Sequence, residues 1–232
     1  MTPAARVAAA IGILDQVLAG SPAEQALLRW SRASRFAGSA DRAALRDLVF
    51  GALRRRDSLA ALGGALSGRG LMIGHARAEG LDPAAIFTGA GHAPASLTGA
   101  EASATAPDPL PDDLPDWLRP AWNRALGPQA AAVAAAMTAR APVWLRVNLA
   151  RTDPDRAAAR LAEEGIATTP DGTLPSALRV TAGERLVARS RAYEAGLVEL
   201  QDLSPQRACA ALDLAPGLRV LWWQCVAEAL QV

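Results

Sequence analysis

Lysine is absent from this 232-residue chain, and all 24 basic residues are arginine. With the abundance of Ala, Gly and Pro, this points to a GC-rich coding bias, so arginine content alone is weak evidence for phosphate binding. Histidine occurs twice, at His75 and His92, and cysteine twice, at Cys209 and Cys225. None of the four has a partner at ligand or redox spacing, so no metal site or dithiol motif is predicted. Two isolated thiols suit a reducing compartment. Long apolar runs are also missing. Val7 to Leu14 is interrupted by Asp15 and preceded only by Arg6, which is too short for a bilayer span and poor as a signal peptide. The expectation is a soluble, cytoplasmic protein with no membrane partner.

What is present suffices for one or two cores, since 51% of the residues are hydrophobic. Charge is uneven beneath a total of +1. Residues 1–77 carry 11 Arg against 5 acids, residues 78–116 carry 7 acids and no Arg, and residues 117–232 carry 13 Arg against 11 acids. A basic N-terminal module is thereby followed by an acidic stretch, and nucleic acid is a reasonable partner for the former.

That module reads as helical. Thr2-Pro3 is a start signal, Val7, Ile11, Leu14 and Leu18 share a face, and Gly20 ends the helix. Ser21-Pro22 starts a second, with Ala26, Leu27 and Trp30 inward and Arg29, Arg32 and Arg35 along a neighbouring strip. From Asp41, the stripe Leu45, Leu48, Val49, Ala52, Leu53, Leu59 and Leu62 runs to Gly63-Gly64, with Arg42, Arg46, Arg54 and Arg55 outside it. Two readings of these arginines stand side by side: solvated helix faces, or contacts to an RNA backbone that would make affinity salt-dependent. Trp30 lies in the apolar stripe, where core packing is the plainer role and base stacking the sharper one. Residues 64–116 read as irregular, with Gly and Pro punctuation, both histidines in or near loops, and one short helix from Asp82-Pro83 through Phe87. Ala106 to Asp116 reads as a linker.

After the linker, Leu114-Pro115-Asp116-Trp117-Leu118 is expected to open a helix through Leu126, a second helix is expected from Gln129 to Ala139, and then the period changes. Val143 to Asn148 is strand-like, Asp153-Pro154 opens a helix carrying Ala157, Leu161 and Ala162, and 165–169 and 177–180 are strands around an Asp171-Gly172 turn. Alternation puts Trp144, Arg146 and Asn148 on one face and Leu145 and Val147 on the other. The first face suits stacking and hydrogen bonding to single-stranded RNA; the alternative is a structural face covered by a helix. Ser204-Pro205 then starts a helix whose apolar face would be Ala208, Ala211 and Leu212, and Pro216-Gly217 turns into a strand at Leu218 to Leu221.

The words Tyr193-Glu194-Ala195-Gly196, Gln201-Asp202-Leu203-Ser204-Pro205-Gln206 and Pro216-Gly217-Leu218-Arg219-Val220-Leu221 resemble the entry to the catalytic domain of Sun/RsmB-type RNA cytosine-C5 methyltransferases. Asp41 to Leu59 resembles the NusB-like helical domain of the bacterial members, and Trp144-Leu145-Arg146-Val147-Asn148 with Arg151 resembles their subdomain before the catalytic core. The resemblance implies a mainly α chain with a small α+β part. It divides into a NusB-like RNA-binding domain at 1–90, a linker at 91–116, the α+β subdomain at 117–192, and the start of a Rossmann-like methyltransferase domain at 193–232. It also implies S-adenosylmethionine as cofactor, an RNA partner of ribosomal kind, and a cysteine thiolate that attacks C6 of cytosine so that C5 takes the methyl group. Here the strand at Leu221 runs into Trp222-Trp223-Gln224-Cys225 without the family's glycine loop, and neither cysteine matches a catalytic one by position. No catalytic or cofactor residue is therefore assigned, and a truncated, inactive form is the expectation. The alternatives are a non-catalytic RNA-binding module using Arg29, Arg32, Arg42, Arg46, Arg54, Arg55, Trp144, Arg146 and Asn148, or a NusB-type domain that contacts a protein partner.

Overall fold

The computed structural model describes residues 1–212 and divides the chain after Arg140 into a helical unit and a sheet-bearing unit. The chain is mainly helical, with one small four-stranded antiparallel sheet. No helix of the described residues is long and apolar enough to cross a membrane.

The helical unit contains α1 (Pro3–Leu18), α2 (Ala23–Ala33), α3 (Ser39–Arg54), α4 (Arg56–Gly63), α5 (Gly68–Ala78), α6 (Pro83–Ile86), α7 (Gly99–Ser103), α8 (Arg119–Leu126) and α9 (Ala130–Thr138). Helix α1 begins where Thr2-Pro3 predicts: the Thr2 hydroxyl accepts from the Ala5 amide at 3.2 Å and proline sits in the first turn. Its buried stripe is Ala5, Val7, Ala10, Ile13 and Leu14, and the expected Ile11 and Leu18 pack partly buried against the same core, which Ile13 joins. Leu45, Val49, Leu59, Leu71, Met72, Ile73 and Phe87 join it there. Each such side chain contributes on the order of 2 kcal/mol through burial.

Helix α5 corrects the reading of 64–116 as irregular, and it moves His75 from a loop onto a helix. Glycine lowers helix propensity, and Gly68, Gly70 and Gly74 disguise this one. Tertiary packing requires them. A Cβ on Gly70 would overlap the Ala65 carbonyl, one on Gly74 the Leu59 carbonyl, and one on Gly63 the Gly70 carbonyl. Helices α4 and α5 therefore pack backbone to backbone, and α5 is buried at Leu71, Met72, Ile73 and Ala76.

The second unit runs β1 (Val143–Val147), α10 (Pro154–Glu163), β2 (Ala167–Pro170), β3 (Ala177–Ala182), a 3-10 turn at Glu184–Arg189, α11 (Arg191–Glu194), β4 (Val198–Leu200) and α12 (Leu203–Ala210). The sheet order is β2-β3-β1-β4, every neighbouring pair antiparallel. This is a βαββαβ chain in a ferredoxin-like arrangement, with short helical pieces in place of a second long helix. Leu145, Val147, Leu178, Val180 and Val198 form its inner face, closed by Ala157 and Leu161 of α10. Ala162, expected beside them, is exposed.

Strand β4 is absent from the sequence reading because three residues are too few to show a period. Helix α12 begins near the predicted start, with Asp202 as its cap, its carboxylate accepting from the Leu203 amide at 2.8 Å. The predicted apolar face is corrected: Ala208, Ala211 and Leu212 are exposed, and Gln206 is the buried residue. The strand expected at Leu218 to Leu221, the tail from Trp222 to Val232 and Cys225 lie outside the described residues.

Candidate nucleic-acid interface

The six arginines singled out in the helical unit differ in what they already hold. Arg46 on α3 grips Glu24 of α2 with both terminal nitrogens, one of them at 2.8 Å, and its guanidinium lies over the Phe50 ring, 5.1 Å from the centroid. Arg55 pairs with Glu79 at 3.2 Å, and Arg29 reaches the Gln16 amide oxygen at 3.3 Å. Arg32, Arg42 and Arg54 are exposed and make no ion pair or side-chain hydrogen bond among the described residues. Arg42, Arg46 and Trp30 come together at a cleft of about 270 Å³ between α2 and α3. Trp30 is partly buried against the core and also borders this cleft, so packing and exposure share one side chain.

The acidic stretch is folded onto the same unit. Glu101 of α7 takes both Nε and Nη2 of Arg69, at 2.6 and 2.9 Å, and also accepts from the Thr98 amide at 2.8 Å. The Arg69 guanidinium holds the Glu101 carboxyl down to about 2. Arg69 further donates to the Ala95 and Ser96 carbonyls, each at 3.0 Å, and covers Phe87. Asp113, inside the expected linker, accepts from the Asp57 and Ser58 amides at 2.8 Å and from the Ser58 hydroxyl at 2.6 Å. It thereby caps the amino end of α4.

His75 lines an apolar groove with Val7, Leu48, Leu81 and Ile86, and burial lowers its pKa below the ordinary 6.5. Among the described residues, no three His, Cys, Asp or Glu side chains gather as a metal-binding group.

On the sheet, Trp144, Arg146 and Asn148 share a face opposite buried Leu145 and Val147, as alternation predicts. Their availability differs. Arg146 faces Glu199 on β4, and its Nη2 donates to that carboxylate at 2.6 Å with only 20% of the Arg146 side chain exposed. The Asn148 amide nitrogen donates to the Gly196 carbonyl at 3.3 Å and its oxygen accepts from the Ala150 amide at 3.2 Å. Arg151 donates to the Ala195 carbonyl at 2.9 Å, so these two side chains brace the turn into β4.

The residue that sequence reasoning missed is Arg179. It stands directly opposite Trp144 across the β1–β3 pair, is exposed, and has no ion pair or side-chain hydrogen bond among the described residues. Strand pairing brings it there, and a single strand's pattern does not contain that information. Beside β1, Gln206 donates to the Gln201 carbonyl at 2.9 Å, while the side-chain oxygens of both glutamines are buried without a donor among the described residues.

Residues 114–185 match the model of the RsmF/B-like methyltransferase ferredoxin-like domain, in agreement with the βαββαβ sheet. The relationship is to the RsmB/Sun-type methyltransferases. The chain is 40% identical over 107 residues to the ribosomal RNA small subunit methyltransferase B of Xanthomonas campestris pv. campestris, covering 46% of this chain and 24% of that protein. It is 36% identical over 107 residues to the protein of the same name from Xylella fastidiosa strain Temecula1, covering 46% and 25%. The matched stretch thus spans about a quarter of the length of these relatives. The crystal structure of PH0851 superimposes with a TM-score of 0.54 at 15% identity, over 94% of this chain and 57% of that one, and shows the fold alone.

S-adenosylmethionine, which the resemblance implies, does not fit the described residues. The sheet is antiparallel throughout, and the one strand-to-long-helix connection, from Asn148 to Asp153, contains no glycine to bring backbone amides against a cofactor.

Proposed function

We propose that this chain is the RNA-engaging part of an RsmB-type, S-adenosylmethionine-dependent ribosomal RNA cytosine-C5 methyltransferase. In this reading, 1–90 is a NusB-like RNA-binding domain, 91–116 the connection, 117–192 the substrate-holding subdomain, and 193–232 the entry to the Rossmann-like methyltransferase domain. Strand β4 belongs in sequence to that entry and in space to the sheet. Such sharing would hold the RNA-binding face in register with whatever follows. No residue of the chain is given a catalytic or cofactor role.

The observation that carries the reading is the match of 114–185 to the RsmF/B-like domain on a sheet whose outer face offers an aromatic ring and an uncommitted guanidinium side by side. Trp144 with the exposed Arg32, Arg42 and Arg54 are the contacts on which it relies most, and Arg29, Arg46, Arg55, Arg146 and Asn148 would have to exchange an internal partner for RNA.

The test is binding of the chain to fragments of small-subunit ribosomal RNA over a salt series. Affinity is expected to fall steeply with salt, the log–log slope reporting the phosphates neutralised. Failure to bind RNA at low salt would overturn the reading and favour a NusB-type domain that contacts a protein.

A further inference from the structure

Resting on the RNA reading of the sheet, the geometry points to Arg179, in place of Arg146, as the guanidinium that works with Trp144 on an unpaired nucleotide of single-stranded RNA.

Arg146 lies two residues from Trp144 on the same strand and is the natural choice from sequence, but Glu199 occupies its terminal nitrogen at 2.6 Å and the side chain is largely covered. To meet a phosphate it would have to abandon a carboxylate on the adjacent strand. Asn148 is likewise engaged at both ends of its amide.

Among the described residues, Arg179 carries no such commitment. It is paired in register with Trp144 on one side and with Thr169 of β2 on the other, and both Arg179 and Thr169 are exposed. Directly opposed residues place their Cβ atoms roughly 5 Å apart, within reach of a long side chain over an indole. The outer face thus carries a row of indole, guanidinium and hydroxyl running across β1, β3 and β2. The covered half of the face, by contrast, lies at Arg146 and the buried Gln201 and Gln206, where α12 packs beside β1.

The ligand follows from the row's shape and chemistry. An indole lying in a sheet face can take the π-face of a base only if that base has left its stack, and a sheet face does not read the groove edges of an A-form duplex. The neighbouring guanidinium then takes the phosphate of the same nucleotide. Sequence preference should be weak, because every base has a π-face.

The experiment uses the full chain with an unstructured single-stranded RNA and a duplex of the same sequence, comparing wild type, Arg179→Ala, Trp144→Phe and Trp144→Ala, with thermal melting of each variant. Arg179→Ala is expected to melt like wild type and to reduce the salt slope for single-stranded RNA by about 0.7, the value for one phosphate contact. Trp144→Ala is expected to weaken the same complex about tenfold, as loss of one stacked base does. Trp144→Phe retains a stacking ring if alanine proves unstable. In a double-mutant cycle the two positions should be coupled, since both hold one nucleotide. Wild-type binding that Arg179→Ala leaves unchanged in affinity and slope, or equal losses on single strand and duplex, would overturn this inference alone. Absence of wild-type binding at low salt would overturn the RNA reading and the inference with it.

Discussion

In the helical unit, much of the cationic charge is answered from a distant part of the chain; on the outer face of the sheet, one arginine is answered and its neighbour is left open. Arg69 and Arg55 of the basic stretch are met by Glu101 and Glu79 of the acidic one, and Asp113 caps α4. On the sheet, Arg146 is met by Glu199 while Arg179 beside Trp144 is not met among the described residues. A segment's net charge therefore says little about which guanidinium a ligand can use. Pairing across the fold removes most of the candidates, and what remains uncommitted is the better guide to function.

The comparison breaks most readily where the helical unit is tightest. Gly74→Val would drive a branched side chain into the Leu59 carbonyl and is expected to cost about 3 kcal/mol or more in equilibrium unfolding followed by helical circular dichroism. A loss below about 1 kcal/mol would mean that α4 and α5 are not held backbone to backbone. Next in size is Asp113→Ala, which leaves the Asp57 and Ser58 amides without their acceptor. Its expected cost is about 1–2 kcal/mol in the same measurement, and no cost would return the acidic stretch to the status of a free linker.

Acid should separate the remaining pairings. The folded Glu101 carboxyl is held at about 2 against an ordinary 4.5, so its contribution is complete above pH 4.5 and is lost as pH falls towards 2. Glu101→Gln should flatten that limb of the melting-temperature profile, at a cost on the order of 1 kcal/mol at most near neutrality, because the pair is partly exposed. An unchanged limb would remove the charge-compensation argument at this site. The smallest effect concerns His75, whose burial depresses its pKa. Above pH 6.5 both folded and unfolded forms are neutral there. Below 6.5 the unfolded chain takes a proton that the folded one resists, so stability declines with acid. His75→Gln should blunt the decline between pH 6.5 and the start of the Glu101 limb; an identical profile would show that the groove admits the charged ring.

Several features were legible in the residues themselves. Thr2-Pro3 and Asp153-Pro154 set helix starts, because a side-chain acceptor and a fixed φ act within one turn. Alternation along β1 set the two faces, since the pleat is a property of one strand. Helix α5 was not legible. Its glycines read as punctuation until a neighbouring helix is placed against them, and only then does the missing Cβ become a packing requirement. Helix α12 failed in another way: LSPQRACA offers only small or isolated apolar side chains from which to read a face, and Gln206 was buried instead. Of the candidate site, Trp144 was visible and Arg179 was not. The former is marked by its residue type, and the latter only by the strand beside it.

By itself, then, the sequence determined those local elements that carry their own caps or periods, the helical character of the first half, the small α+β part and the resemblance to the RsmB/Sun-type enzymes, because caps, periods and motif words act over a few residues. Tertiary structure alone decided which charges cancel, which glycines are needed, where β4 inserts, and which arginine stands open beside Trp144. Those outcomes depend on groups tens of residues apart meeting within a few ångströms, as Asp113 meets Ser58 and Arg146 meets Glu199, and no short-range pattern encodes such a meeting.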